Sequence, residues 1–177
     1  MIDSRFRLPA WLGSGVFLIF AGGCFPLARL DVTQPHLPDP QSHITLEGNW
    51  AYFAPSDHDM LRVLLAFPLP QSRHGDRHYY IYVRCPAHAG SFAYGGESDD
   101  SLSGLFLQSH GRYAGMTLIR GGTLNLGDPS GSCGGQFALT CEDGTELKGT
   151  FTAQRREWDV MQFEEQYRHY VRVLDSP

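Results

Sequence analysis

The sequence QFALTCEDGTELKGTFTA, residues 136–153, decides the fold of this 177-residue chain. Apolar and polar residues alternate on both sides of Gly144, as they do in two half-buried strands joined by a turn. A two-residue turn would pair Thr140 with Leu147 and place the apolar residues of the two strands on opposite faces of the sheet. A three-residue turn pairs Leu139 with Leu147 and requires a left-handed backbone at Gly144, which glycine adopts cheaply. The segment therefore predicts an antiparallel hairpin with one apolar face.

The same test extends the predicted sheet toward the N-terminus. A two-residue turn at 110–111 and a three-residue loop at 120–122 would each keep the apolar residues of neighbouring strands on one side. Residues 104–153 are therefore predicted to form an antiparallel meander with a single apolar face. The upstream part of that face would comprise Leu105, Leu107, Met116, Leu118, Leu124 and Leu126.

Short segments rich in aromatic and branched residues recur between glycines and prolines throughout residues 43–177. This spacing is typical of an all-β sandwich or barrel. The fold class is therefore predicted to be mainly β, an antiparallel meander barrel or sandwich of eight or nine strands. The predicted strands are 44–53, 60–67, 78–85, 91–94, 104–109, 113–119, 123–127, 136–141 and 145–153.

The spacing of apolar residues changes near the C-terminal end. Steps of three and four residues predict an amphipathic helix over 157–174, with one face packed on the sheet. Its polar face carries charges of both signs, unlike the basic helices that bind membrane surfaces. The helix is predicted to complete a single domain spanning residues 43–177. The apolar positions are Val160, Phe163, Tyr167, Tyr170 and Leu174.

The N-terminal region has the features of a targeting signal. Two early cations, Arg5 and Arg7, precede a stretch without ionisable side chains that ends in Ala21-Gly22-Gly23-Cys24. This arrangement resembles a bacterial lipoprotein signal, which implies that residues 1–23 are a signal peptide and that Cys24 is lipidated. Acyl chains on Cys24 would anchor the protein stably to a membrane. The small residues also permit ordinary secretory cleavage, and an uncleaved anchor is the third alternative.

The lipoprotein resemblance implies a location in the bacterial cell envelope. Phe25 follows the cysteine, in place of the aspartate that favours inner-membrane retention in enteric relatives, so the outer membrane facing the periplasm is expected. Residues 24–42 would then comprise the lipidated cysteine and a tether, because prolines recur among polar residues there.

The composition of the mature chain excludes a nucleic-acid partner of the usual kind. Residues 1–23 contain Arg5, Arg7 and Asp3, so their removal changes 14 basic and 19 acidic residues into 12 and 18. The resulting formal charge of −6 offers no basic stripe for phosphates. The expected partners are the membrane, through the lipid anchor, and either an envelope protein or a small apolar ligand.

Three further cysteines follow Cys24, at positions 85, 133 and 141. In an oxidising compartment, an odd number implies one disulfide bond and one remaining thiol. Cys133 and Cys141 would lie too far apart along an extended segment to form a bond. Because Cys85 and Cys141 both fall on predicted inward positions, a Cys85–Cys141 bond is predicted, with Cys85–Cys133 as the alternative.

Other polar clusters of the sequence match no catalytic, cofactor or metal motif. His74, His78 and His88 lie near Asp76, and imidazole with carboxylate can bind zinc or copper. Their spacing fits no metal motif, as is also the case for His58 between two aspartates. The acidic run at 97–100 is expected to be an ordinary loop. The glycine-rich run at 131–135 is not a phosphate-binding loop, since no Lys-Ser/Thr follows it and no helix is expected there. The sequence thus predicts no metal, cofactor or catalytic residue.

One short motif suggests a carrier. Gly48-Asn49-Trp50 resembles the Gly-x-Trp signature of lipocalins, in which the tryptophan closes one end of a barrel that holds a small apolar ligand. Without that resemblance, Trp50 is expected to anchor the core. The leading hypothesis is an envelope-anchored lipoprotein whose non-catalytic β domain serves interaction or envelope organisation. A lipocalin-like carrier is the second hypothesis, and an envelope enzyme with an unidentified site is the third.

Overall fold

The computed structural model describes residues 27–39, 42–57, 59–69, 77–95, 102–110 and 113–175. These residues form one ten-stranded sheet followed by short helices, so the predicted mainly β class with a C-terminal helix is confirmed. The helices are α1 (Glu157–Gln166) and α2 (Arg168–Val171), followed by a 3₁₀ turn at Arg172–Asp175. The strands are β1 (Ala28–Thr33), β2 (His43–Gly48), β3 (Trp50–Pro55), β4 (Met60–Pro68), β5 (Arg77–Pro86), β6 (Gly90–Ala93), β7 (Ser103–His110), β8 (Tyr113–Leu126), β9 (Ser132–Cys141) and β10 (Glu146–Arg155).

The sheet closes into a barrel-like ring at β10. One edge of β10 pairs with β9, and the other edge pairs first with β1 and then, in parallel, with β3 at Gln154↔Tyr52. The order continues from β3 through β4, β5, β7 and β8, and β8 returns to β9. β2 pairs with β1, while β6 pairs with the second half of β8. Of the two predicted architectures, a barrel and a sandwich, the closed sheet corresponds to the barrel.

The interior of the barrel is packed with apolar side chains. Every strand directs alternate residues inward, and the buried residues of this interior cluster are at most 9% exposed. Burying each such side chain contributes about 1.5–3 kcal/mol to the hydrophobic stabilisation of the fold. The interior is therefore a core and not a lumen. Representative members are Leu30, Val32, Phe53, Phe67, Ile81, Phe106, Phe137 and Phe151.

A second apolar layer covers part of the outer surface of the barrel. The continuous apolar run at 63–67 in β4 is buried on both faces, as expected of a strand covered by a helix. The helices α1 and α2 supply that cover, which confirms the predicted packing, but the helix breaks at Tyr167. The outer layer joins Ala54, Leu64, Tyr82, Leu105 and Leu107 of the strands to Val160, Phe163, Tyr167 and Val171 of the helices.

The hairpin formed by β9 and β10 agrees with its prediction. Leu139 pairs with Leu147, and the backbone at Gly144 is left-handed, with φ of +82°. Asp143 stabilises the turn because its Oδ1 accepts a hydrogen bond of 2.9 Å from the backbone N–H of Thr145. The alternation of apolar residues was sufficient here because only one register buries both strands on the same face.

The predicted turn at 110–111 is displaced along the chain. His110 itself pairs with Tyr113 in the β7–β8 ladder, and residues 111–112 lie outside the described ranges. The change moves the register by an even number of residues, so Leu105 and Leu118 still share a face.

The predicted loop at 120–122 is wrong. β8 runs through this region as one strand, with a bulge between Ile119 and Gly121 and a left-handed φ of +103° at Gly122. A bulge adds one residue to one strand and thereby exchanges its two faces. Met116 and Leu118 consequently lie under the helix, whereas Leu124 and Leu126 lie inside the barrel. The prediction that residues 104–153 share a single apolar face is therefore wrong, because their apolar residues are divided between two faces.

Part of the predicted tether belongs to the sheet. Ala28–Thr33 forms β1, which pairs with β2 on one side and β10 on the other, so the folded domain does not begin at 43. The predicted segment 44–53 also divides, into β2 and β3, at Asn49. Residues 1–26, with the predicted signal peptide and Cys24, lie outside the described ranges.

Substitution of Gly122 tests the bulge. Gly122→Ala should lower the free energy of unfolding by more than about 2 kcal/mol, because the added Cβ would approach the Ala138 carbonyl oxygen to 2.1 Å at a strained φ. Gly121→Ala is the matched control, since its Cβ would meet only Thr140 at 3.7 Å. Urea unfolding of both variants gives the comparison, and equal losses of stability would contradict the role assigned to Gly122.

Candidate functional site

The strongest candidate site is a recess on the outer face of the barrel, beside α1. Strand pairing places Trp50 of β3, Ala66 of β4 and Tyr80 of β5 in one row across the sheet. Ala66, with only a methyl group, lines the recess between the strands that carry the two large rings. This aromatic groove, with a volume of about 380 Å³, is lined by Trp50, Tyr52, Leu64, Ala66, Tyr80, Asp159, Gln162, Phe163, Gln166 and Tyr167.

The aromatic rings of the groove are ordered by mutual stacking. His78 lies between Trp50 and Tyr80, with centroid separations of 5.5 and 5.7 Å and interplanar angles of 14° and 27°. Tyr80 also contacts Phe163 at 5.2 Å and Tyr167 at 5.6 Å. The stack is thus held at its buried end by the helix, while Trp50 at its outer end is 48% exposed.

The helix supplies the polar rim of the groove. Asp159, Gln162 and Gln166 line its α1 side and provide one carboxylate and two neutral amides. The rim is held in place by a chain of hydrogen bonds, because Gln166 Nε2 donates to Tyr167 Oη at 3.2 Å and Tyr167 Oη donates to Ser109 Oγ at 3.2 Å.

Charge near the groove is mixed in sign. Burial raises the pKa of Tyr52, the nearby Asp159 carboxylate raises it further, and the Arg156 guanidinium opposes the shift. A carboxylate and a guanidinium therefore shift the pKa of the same phenol in opposite directions. The lining of the groove combines aromatic rings with one carboxylate and two amides, and its volume falls within the ~300–1,000 Å³ typical of small-molecule sites.

A charged cluster fixes the helix beside this groove. Glu164 of α1 accepts hydrogen bonds from Arg62 Nη1 at 2.9 Å and from Tyr82 Oη at 2.5 Å. Arg84 Nε donates to Tyr82 Oη at 3.3 Å and its guanidinium also pairs with Asp175 beyond α2. Arg62 Nε is buried without a hydrogen-bond partner, but the other contacts of the cluster join β4 and β5 to the helical segment. The cluster accounts for how the rim of the groove is positioned.

The predicted disulfide cysteines are three buried thiols. Burial, and to a smaller extent the neighbouring Cys133, raise the pKa of Cys85 to about 12. Cys141 lies near Asp143 and Glu142, whose charges add to the effect of burial on its pKa, about 12. The disulfide, in either pairing, remains a prediction. Cys24 lies outside the described residues.

The predicted histidine cluster is separated along β5. His78 belongs to the aromatic stack, whereas His88 lies beyond the opposite end of the strand, with its ring 5.2 Å from that of Phe92. His58, His74, Asp76 and the acidic run 97–100 lie outside the described ranges. In the described part of the chain, no group of three potential ligands could hold a metal ion.

The expectation that Trp50 anchors the core is wrong. Ala51 takes the inward position on β3, so the indole of Trp50 points outward and belongs to the groove. Sequence reasoning also missed Tyr52 and Tyr80 as groove residues. A signal was present, because aromatic rings recur at every second residue in Trp50-x-Tyr52 and in His78-x-Tyr80, a spacing that places them on one face of each strand.

Comparisons with known proteins give no family assignment. No protein-family model matches the chain, and no match was found among curated proteins or solved structures. Across the described ranges, no helix has both the length and the apolar character needed to cross a bilayer. The geometry itself defines the class of molecule, a closed β barrel with a filled core and an external aromatic groove.

Buried thiols and phenols predict a loss of stability in alkali. The pKa values of Cys85 and Cys141, both about 12, and of Cys133, about 11, lie above the value of about 8.5 for an unfolded thiol. Above that value the unfolded chain loses protons that the folded chain keeps. Under reducing conditions, the free energy of unfolding should therefore fall by at least about 2 kcal/mol between pH 8 and pH 10.5.

Urea unfolding across this pH range measures the effect. Burial also raises the pKa of Tyr82, so Tyr82→Phe should reduce the slope above about pH 10. Tyr113→Phe is the matched control, since that ring is 82% exposed, and should leave the slope unchanged. Constant stability up to pH 10.5 would contradict the burial of the thiols.

Proposed function

We propose that this protein is a lipid-anchored, non-catalytic binding module of the bacterial cell envelope. Acyl chains on Cys24 attach it to the membrane, and the aromatic groove recognises a ligand there. The outer membrane facing the periplasm is the proposed location. The single observation that carries the binding role is the exposed ring of Trp50, held in an ordered stack at the mouth of a groove of about 380 Å³.

A ligand on the outer surface fits the structure better than a ligand inside the barrel. Carriers of the lipocalin kind hold their ligand in a lumen, and the space inside this barrel is occupied by buried side chains such as Phe53, Phe67 and Phe106. Ordered aromatic groups with polar neighbours are the usual composition of binding sites.

The proposed anchor would hold the groove close to the membrane. Ala28, the first residue of β1, is four residues after Cys24 in the sequence. A chain of this length spans about 14 Å at full extension. Ala28 pairs with Gly48, two residues before Trp50. Trp50 thus lies within about 30 Å of the lipidated cysteine at most. Because the link is short, the anchor would position the groove near the membrane and would not act as a long spacer.

The anchor is tested with Cys24→Ser in the full-length protein. The unaltered protein should carry acyl chains by intact-mass measurement of the membrane fraction, before and after delipidation. Cys24→Ser should lack them and leave the membrane fraction, because multiple acyl chains provide the stable attachment. An acylated, membrane-bound Cys24→Ser protein would refute the lipidation site.

The binding role is tested by sedimentation of the protein, solubilised in lauryldimethylamine oxide, with detergent-extracted insoluble envelope material, so that the acyl chains cannot carry the protein into the pellet. Trp50→Ala should reduce the bound fraction at least about 5-fold, as expected for loss of a central aromatic contact. Trp158→Ala is the matched control, because Trp158 is 66% exposed on α1 and does not line the groove. Equal binding by the two variants would contradict a role for the groove.

A further inference from the structure

We propose that the ligand of the aromatic groove is a saccharide, bound with the apolar face of a pyranose ring against Trp50. This assignment rests on the proposed function and adds the chemical class of the ligand. The first argument is shape. Trp50 stacks on His78 with their ring planes nearly parallel, at 14°, and the indole is 48% exposed, so it offers a flat apolar face at the open end of the stack. A sugar ring has a flat face of C–H groups that matches such a surface, whereas its hydroxyl groups radiate sideways.

The second argument is the hydrogen-bonding capacity of the rim. Sugar hydroxyls both donate and accept, and the amides of Gln162 and Gln166 can do both as well. The Asp159 carboxylate accepts only, so it requires a ligand that donates. Hydroxyl groups on adjacent sugar carbons meet these needs together, since each can turn its proton toward the carboxylate or its lone pair toward an amide.

The same groups disfavour two other ligands of aromatic grooves. A proline-rich peptide offers carbonyl acceptors and no prolyl N–H, which leaves Asp159 without a donor. An acyl chain would cover all three polar side chains without replacing their bonds to water, at a cost for each.

The groove is open to solvent and not enclosed, so it can admit one unit of a longer saccharide chain. His78 and Tyr80 continue the row of rings from Trp50 toward Tyr167, over 5.5, 5.7 and 5.6 Å between successive centroids. Trp50 is the accessible ring of this row, so it provides the principal stacking surface, and the rim residues of α1 contact the hydroxyls of the same or the next unit.

Isothermal titration calorimetry on the full-length protein tests the assignment. The protein is purified in lauryldimethylamine oxide, because detergents with sugar headgroups would occupy the groove. The probes are maltohexaose, cellohexaose, chitohexaose and mannohexaose, with decaproline as the peptide alternative. At least one hexasaccharide should bind saturably. Trp50→Ala should weaken that binding at least about 10-fold, as for a central tryptophan contact, and Trp158→Ala should leave it unchanged.

Oxidative footprinting gives an independent readout on the unaltered protein. N-bromosuccinimide modifies exposed indoles, and both Trp50 and Trp158 are accessible. The bound hexasaccharide should protect Trp50 and leave Trp158 reactive, as measured by peptide mass spectrometry. Protection of neither indole, or equal protection of both, would overturn the assignment of the sugar to this groove.

The outcomes separate the ligand class from the proposed function. If no hexasaccharide binds, or if binding survives Trp50→Ala, the saccharide assignment is wrong. If decaproline binds and Trp50→Ala removes that binding, the saccharide assignment is also wrong, but the groove remains a binding site. The proposed binding function fails separately if Trp50→Ala and Trp158→Ala sediment equally with envelope material.

Discussion

The rest of the structure depends on the bulge between Ile119 and Gly121, because it exchanges the two faces of β8. Before the bulge, Met116 and Leu118 serve the outer layer beneath the helix; after it, Leu124 and Leu126 serve the barrel interior. β8 therefore supplies residues to both apolar layers. It pairs with β7 and β6 and also with β9. A hairpin at this point would have confined all these residues to one face.

The outer layer in turn creates the candidate site. α1 begins directly after β10, and the backbone N–H of Arg156 donates to the Phe53 carbonyl at 3.0 Å, which fixes where the helix starts. The helix covers Tyr82 and Leu64 but ends its cover short of Trp50. The groove is the margin of a packed layer. Its floor is rigid because it belongs to the core, and its rim is polar because it belongs to the solvent face of α1.

The proposed function joins this groove to a proposed lipid anchor a few residues before β1. β1 brings the N-terminal end of the described domain beside Gly48, so a lipidated Cys24 would hold Trp50 close to the bilayer. A recognition surface at that position would meet molecules of the membrane surface before those of the periplasm.

The sequence by itself determined the local features: the mainly β class, the β9–β10 register with its left-handed Gly144, and an apolar helix face packed on the sheet. Each follows from a repeat of two or of 3.6 residues, which a few neighbouring side chains define. Tertiary structure alone decided which face was inside, the inclusion of β1 in the sheet, and the exposure of Trp50. The reason is that closure of the barrel and cover by the helix create two apolar environments. The hydrophobic effect is non-directional, so burial of an apolar side chain is equally favourable in both environments.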